Sequence, residues 1–254
     1  MSLLLGLVLC GAFEFNLPGS NSAMLAGVAV PTASNAFTLN PALLSDLPAS
    51  SVQFSHAALY DISELQYNRL GFGLRSIALG GSISLLSFAG YQELTAALTK
   101  SFSLPAGFAA GIQAGLYSLR VPAQGNQLVP GLDCGLAWHG PSLGFGAAVQ
   151  DLNLPALRSG DAIPVRLELG AGATPVPKLT LAADCEYSAP AWRFRFSTGY
   201  DVHSALFLSA GMATNPLEYA VGATCRYRSV SISYVYLFSP RLKETQVLGI
   251  GFSF

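Results

Sequence analysis

The chain has 254 residues, of which 51% are hydrophobic and only 11% are charged, and its formal net charge is −1. An average soluble domain carries about 25% charged residues, so this composition leaves little charge for a hydrated surface. The balanced charge argues against nucleic-acid binding, which needs a basic patch, and the apolar fraction excludes low-complexity disorder. A membrane or an unusually large core must take up the apolar residues.

The chain begins with an apolar run over residues 3–13 that ends in small residues. This pattern resembles the apolar region of a secretory signal peptide, so we expect residues 1–12 to be one, cleaved after Ala12. No Lys or Arg precedes the run, and a buried first strand is the alternative interpretation. A lipoprotein anchor at Cys10 is disfavoured because Leu9 is too large for the position before it. No other run approaches the roughly 20 apolar residues of a membrane-spanning helix.

Residues 13–49 differ from the rest of the chain because they show no strand-like alternation. Asn40 is a suitable helix N-cap and Pro41 suits the first helical position, which predicts a short helix from Ala42 to Leu47. Within it, Asn35–Leu47 is mainly apolar and bounded by prolines. We therefore expect this segment to pack against the region that follows it in the chain.

From residue 50 onward the dominant period is two, which is typical of strands with two different faces. Turn signals at short intervals divide this region into about fourteen segments of about ten residues, the length of a tilted transmembrane strand. The predicted strands are 50–60, 64–74, 76–88, 90–102, 108–119, 131–139, 141–151, 162–174, 177–187, 191–201, 204–212, 217–227, 229–238 and 243–254. The two longest predicted connections, 120–130 and 152–161, fall on the same side of the sheet.

The two faces of these strands decide between a soluble sandwich and a membrane barrel. The less apolar face is mostly Gly, Ala, Ser and Thr, a poor solvated surface but a suitable lining for a narrow lumen. Most strand charges lie on that face, which avoids a cost of about 2–4 kcal/mol for each Arg or Lys in lipid. We therefore predict an all-β fold, a transmembrane antiparallel β-barrel of about fourteen strands over residues 50–254, with a short N-terminal helical plug segment over residues 13–49.

Six lumen charges on three neighbouring predicted strands form a predicted charge ladder. If turns lie at 175–176 and 188–190, opposite charges face one another in two rows. The predicted rows are Arg166–Glu186–Arg193 and Glu168–Asp184–Arg195. Such groups either line a polar constriction for solutes or neutralise one another in a closed lumen, and serial pairing of opposite signs favours the second.

No residue pattern points to catalysis or metal binding. The three histidines, His56, His139 and His203, have no second His, Cys or carboxylate at ligand spacing. No predicted strand groups a Ser with a His at a spacing that suits nucleophilic catalysis. We expect no metal, no cofactor and no enzymatic activity.

The last residues form an alternating strand that ends in Phe252-Ser253-Phe254. This ending resembles the C-terminal signature by which the barrel-assembly machinery reads bacterial outer-membrane barrels. We therefore expect Phe252 and Phe254 to serve as an assembly signal. The resemblance implies a bacterial outer membrane as the location, with its lipid and the assembly machinery as partners.

Several short motifs resemble the PorV/PorQ family, which is related to the FadL-type barrels. They are Ser34-Asn35-Ala36, Asn40-Pro41-Ala42, Phe145–Leu152, Ile163–Gly170 and Gln246–Phe254. The resemblance implies a fourteen-stranded outer-membrane barrel whose N-terminal segment packs in or under the lumen. It makes Asn35, Asn40, Pro41 and Ala42 the predicted plug motif, with a periplasmic cap as the alternative.

Two functional hypotheses follow from the resemblance and the composition. The first is a non-enzymatic accessory or anchoring component of a type IX-like secretion or envelope system, with secretion proteins as partners. The alternative is a FadL-like channel for a hydrophobic small-molecule ligand, in which the N-terminal segment gates a path from lumen to bilayer.

Overall fold

The computed structural model describes residues 12–13, 23–122, 125–157 and 163–254. Most of the predicted signal peptide, residues 1–11, lies outside the described residues. Among the residues that are described, no helix is both long and apolar enough to cross a bilayer.

Antiparallel strands form a closed barrel in which each strand pairs with the next along the chain, and β1 pairs with β14. The predicted all-β barrel is confirmed. Its strands are β1 (Ser51–Ala58), β2 (Gln66–Leu74), β3 (Leu79–Phe88), β4 (Tyr91–Ser103), β5 (Phe108–Val121), β6 (Gly125–His139), β7 (Leu143–Gln150), β8 (Arg166–Val176), β9 (Leu179–Ser188), β10 (Ala191–His203), β11 (Leu206–Ala213), β12 (Glu218–Tyr227), β13 (Val230–Ser239) and β14 (Leu242–Ser253). Ser51 and Ser253 pair at one end, called the inner end here; the opposite end is the outer end.

The outside of the barrel is apolar at alternate strand positions. Leu98 and Ile232 are each 55% exposed, and this pattern recurs around the ring. A soluble monomer rarely exposes so continuous an apolar surface, whereas hydrocarbon solvates it well. Trp192 and Tyr219 near the outer end and Tyr227 near the inner end are also exposed. These aromatic residues lie where the interfacial girdles of membrane barrels occur.

One predicted connection is wrong. Residues 120–130 are not a loop, because β5 and β6 extend into them and pair through Tyr117 and Val129. Burial alternates there, with Gln127 and Val129 buried and Leu128 62% exposed. Gly125 and Pro130 are typical turn residues, yet both lie in the paired strand β6. A longer outer connection joins β7 to β8, across residues 151–165.

The lumen is filled by the chain's own N-terminal segment, residues 23–47, called the plug here. It contains one short α-helix, α1 (Ala33–Thr38), and a 3₁₀-helix, Pro41–Asp46. The Asn40 carboxamide oxygen accepts the Ala42 N–H at 3.0 Å and so caps the 3₁₀-helix where the sequence predicts a helix start. The sequence did not predict α1. Apolar plug residues form a cluster with small wall residues: Ala33, Ala36, Phe37, Ala42, Leu43, Leu44, Leu47, Ala109 and Ala137.

Candidate functional site

The extended residues 23–28 of the plug offer backbone N–H groups to side chains on the lumen wall. The Ser209 hydroxyl on β11 accepts the Ala23 N–H at 2.8 Å, and the Ser197 hydroxyl on β10 accepts the Ala26 N–H at 2.7 Å. A buried chain without its own secondary structure needs such acceptors, because unpaired backbone donors are costly. Side chains of the lumen wall therefore accept the hydrogen bonds that a neighbouring strand would otherwise accept.

Asp184 on β9 is the most heavily used of these acceptors. Its Oδ2 accepts the N–H of Gly27 at 2.6 Å and that of Val28 at 3.1 Å. The side chain has no exposed surface, and Arg195 Nε lies 3.9 Å from the same oxygen. Hydrogen bonds to a buried carboxylate are roughly twice as strong as neutral ones. Asp184 thus joins the plug to the lumen charges.

Of the two hairpins that make up the predicted charge ladder, one has the predicted register and the other does not. Across β9 and β10, Glu186 faces Arg193 and Asp184 faces Arg195, as predicted. Across β8 and β9, however, Glu168 faces Glu186, while Arg166 faces Ser188. The connection between these strands lies at 177–178 rather than at 175–176, so their register differs by two residues.

Arg195 offsets the like-charge contact that this register creates. It donates to Glu168 at 2.6 Å, lies 3.3 Å from Glu186, and is 3% exposed. The other two arginines of the predicted ladder reach carboxylates outside it. Arg193 pairs with Glu218 at 2.5 Å, and Arg166 lies 3.7 Å from Asp151. The six residues contact one another, their neighbours and the plug backbone, an arrangement that suits mutual neutralisation in a closed lumen.

The predicted plug motif lies inside the barrel. The Asn40 carboxamide is fully buried and donates to the Val28 carbonyl at 3.0 Å and to the Leu136 carbonyl of β6 at 2.9 Å. Asn35 donates to the Val30 carbonyl at 2.9 Å. Asn40 therefore closes a turn within the plug and ties it to the wall.

Two further anchors were missed by sequence reasoning. His139, which has no metal-ligand partner at suitable spacing in the sequence, contacts Asp46 at 2.7 Å and the Ala29 carbonyl at 3.0 Å. Because both contacts are acceptors, both ring nitrogens donate, as in an imidazolium. Gln150 donates to the carbonyl of Thr38 at 2.7 Å. The signal available in the sequence for both anchors was a polar residue at a lumen-facing strand position.

Glycines on the lumen face let the plug backbone approach the wall. A Cβ atom on Gly146 would lie 2.2 Å from the Val28 carbonyl oxygen, and one on Gly111 would lie 2.3 Å from the Pro41 carbonyl carbon. Both distances are far below van der Waals contact, so a side chain at either position displaces the plug. The sequence predicts glycine as part of the lumen lining, without this steric role.

The barrel wall is thin over β2 to β5. On the lumen side the Phe37 ring packs on Gly80, where a Cβ atom would lie only 2.7 Å from it. On the outside an apolar groove of about 550 Å³ lies over the neighbouring Gly81, Ala96 and Ala114. Small residues on both faces leave little more than the backbone between plug and groove.

At the C-terminus, Phe252 faces outward on β14 at 49% exposure and stacks with Phe254 at a ring-centroid distance of 5.9 Å. This is the end of the strand that closes the barrel with β1. Their role in assembly stays a prediction.

A closed fourteen-stranded barrel with an apolar exterior has the fold of a transmembrane β-barrel. No protein-family model and no curated protein matches the sequence. The PorV/PorQ resemblance therefore stays a prediction.

Solved structures share the fold. The toluene transporter TbuX of Ralstonia pickettii superposes with a TM-score of 0.69 at 12% identity, covering 96% of this chain and 99% of that one. The monoaromatic hydrocarbon channel CymD gives 0.65 at 12% identity, covering 95% and 99%. The toluene transporter TodX of Pseudomonas putida gives 0.65 at 12% identity, covering 95% and 98%. These proteins are transporters and channels rather than enzymes.

Proposed function

We propose that the protein is a bacterial outer-membrane channel for hydrophobic small molecules, closed by its own N-terminal plug. The observation that carries this proposal is the position of the plug, which is buried along the described lumen and anchored to the wall at Asp184, Asn40 and His139. A lumen filled in this way is unsuited to free passage of hydrated solutes. The shared fold with structures named as toluene transporters supports the same class.

The small residues over β2 to β5 mark a place where an apolar solute could leave the lumen sideways. Because the strands there are paired without interruption, this path requires the ladder to open locally. A molecule released beside Phe37 has glycine backbone between it and the outer groove. Transfer of apolar surface to hydrocarbon is favourable by about 25 cal/mol per Å², so the bilayer draws such a solute outward.

Filling the outer groove tests this route. The double substitution Ala96→Leu with Ala114→Leu adds bulk at two diagonal outward-facing positions of β4 and β5. The matched control is Ala210→Leu with Ala223→Leu, a diagonal pair of outward-facing alanines on β11 and β12. We expect uptake of radiolabelled toluene by intact cells to fall at least several-fold for the first pair only. Equal uptake by both variants, at equal surface expression, would contradict the lateral route.

Deletion of residues 20–47 tests the plug itself. Removal of a lumen plug is expected to raise single-channel conductance in planar bilayers, because the lumen then fills with water. A periplasmic cap would leave the conductance unchanged. If conductance rises but toluene uptake persists at the level of the intact chain, gating of uptake by the plug is wrong.

The secretion-accessory hypothesis stays a prediction, since the described contacts are all within one chain. Capture of secretion-system proteins by the detergent-extracted barrel, combined with unimpaired toluene uptake in a deletion strain, would favour it over the channel.

A further inference from the structure

Arg69 on β2 is a buried cation that differs from the other lumen arginines. Its side chain faces the lumen and is only 6% exposed, and its Nη1 has no hydrogen-bond partner. Within the described ranges no carboxylate lies within 4.0 Å of it, whereas Arg166, Arg193 and Arg195 each have one. Tyr67 of the same strand lies beside it.

The Arg69 guanidinium lines a cavity of about 10 Å³ between the plug and the wall. The polar residues around this cavity are Ser34 of α1 and Gln53 and Ser55 of β1. Serine hydroxyls and a glutamine amide can all donate hydrogen bonds, and a guanidinium only donates. A cavity of this size holds about one water-sized species. The lining therefore suits a single small acceptor with negative charge.

An uncompensated charge in a buried site costs several kcal/mol, and a bound counterion removes much of that cost. We propose that a single chloride ion binds at Arg69, between β2 and α1. A monatomic halide is the anion nearest in size to a water molecule, whereas a carboxylate or phosphate needs room for several atoms. Bound there, it contacts both the wall and the plug helix and so holds α1 against the barrel. This site concerns plug seating and does not depend on which solute the channel carries.

Chloride dependence of stability tests the site. The full-length barrel in detergent micelles is unfolded with urea, and tryptophan fluorescence reports unfolding. Chloride is exchanged for gluconate at constant ionic strength. For one site that binds only the folded protein, the folded-to-unfolded ratio rises about tenfold per tenfold chloride once the site is mostly occupied. An unfolding curve that does not move with chloride would overturn the proposal.

Variants separate this site from general salt effects. Arg69→Met removes the charge at similar volume, and we expect the chloride dependence to vanish. The control is Arg75→Met, which removes an exposed arginine that donates to the Pro48 carbonyl at 2.9 Å beside the same plug. It should retain the dependence. If Arg69→Met retains it too, the effect is not specific to this site.

Diffraction gives a second readout that does not rely on a folded variant. Crystals of the unaltered protein grown without chloride and soaked in bromide should show an anomalous peak within hydrogen-bond distance of Arg69 Nη1. Peaks confined to the protein surface would overturn the proposal.

Discussion

Replacing Asp184 by alanine removes the acceptor of two plug N–H groups, those of Gly27 at 2.6 Å and Val28 at 3.1 Å. A hydrogen bond to a charged group contributes about 1.5–3 kcal/mol, so the pair contributes about 3–6 kcal/mol to plug seating. Even the lower value corresponds to about a 100-fold change in the seated fraction, since each 1.4 kcal/mol is tenfold. Asp184→Asn keeps one acceptor oxygen and is expected to lose less.

Amide hydrogen exchange measures this change at the affected atoms. Protection of the Gly27 and Val28 amides should fall about 100-fold in Asp184→Ala, while the strand amides stay protected. The matched control is Asp201→Ala, which removes an exposed carboxylate paired with Arg226 at 2.6 Å. Exposed pairs contribute about 0.2–1 kcal/mol, so plug exchange should not change. Unchanged protection in Asp184→Ala would refute the anchoring role of the carboxylate.

Three further substitutions test the plug and its charges. Gly146→Ala places a Cβ atom 2.2 Å from the Val28 carbonyl oxygen, so we expect a displaced plug and higher single-channel conductance. His139→Ala removes two contacts near the inner end and should speed amide exchange in the inner half of the plug. Arg195→Met leaves Glu168 buried without its 2.6 Å partner. It should lower the free energy of unfolding in urea by about 3–5 kcal/mol.

Each of these has a control. Gly172→Ala meets the Val30 methyl group at 3.2 Å and the Ala29 carbonyl oxygen at 3.4 Å, close to ordinary contact distances, so conductance should stay near that of the intact chain. His139→Gln retains hydrogen-bonding capacity and should recover part of the protection. Arg226→Met breaks the exposed pair with Asp201 and should change the unfolding free energy by less than about 1 kcal/mol. Equal effects of a test variant and its control would show that the contact named for it is not the cause.

The strands and their two faces could be predicted from the sequence because alternation is a local property. Within each strand, the alternation of apolar and less apolar residues shows which side chains face lipid and which face the lumen. The same signal was available for β5 and β6, where burial alternates up to Val121 and from Gly125. There the turn residues were given more weight than the alternation, and a loop was predicted where strands continue.

Register was harder to predict than strand identity. The stretch Thr174-Pro175-Val176-Pro177-Lys178 contains two prolines, and each is a plausible turn. Lys178 takes a left-handed backbone at φ 76°, which places the turn at the second proline. Because side chains alternate with period two, a two-residue shift keeps every charge on the lumen face. It changes only the partners, so the face of the ladder was predicted correctly while one of its hairpins was not.

Contacts between the plug and the wall could not be predicted from local sequence patterns. Asp184 and Gly27 are 157 positions apart, and Gln150 and Thr38 are 112 apart. Nothing in either segment states which wall residue will meet which plug atom. The lumen glycines were visible, but only the seated plug explains why a side chain is excluded there.

The seam between β1 and β14 has a consequence for the order of assembly. β1 begins directly after the plug, and β14 is the last strand of the sequence, so the ring closes between the two most distant strands of the barrel. Residues 23–47 either lie inside the curved sheet when this seam forms or enter the closed barrel through one end afterwards. A plug that is inside the sheet at that moment is enclosed by formation of the seam. Variants that slow plug docking should yield closed barrels with an empty lumen rather than unfolded chains.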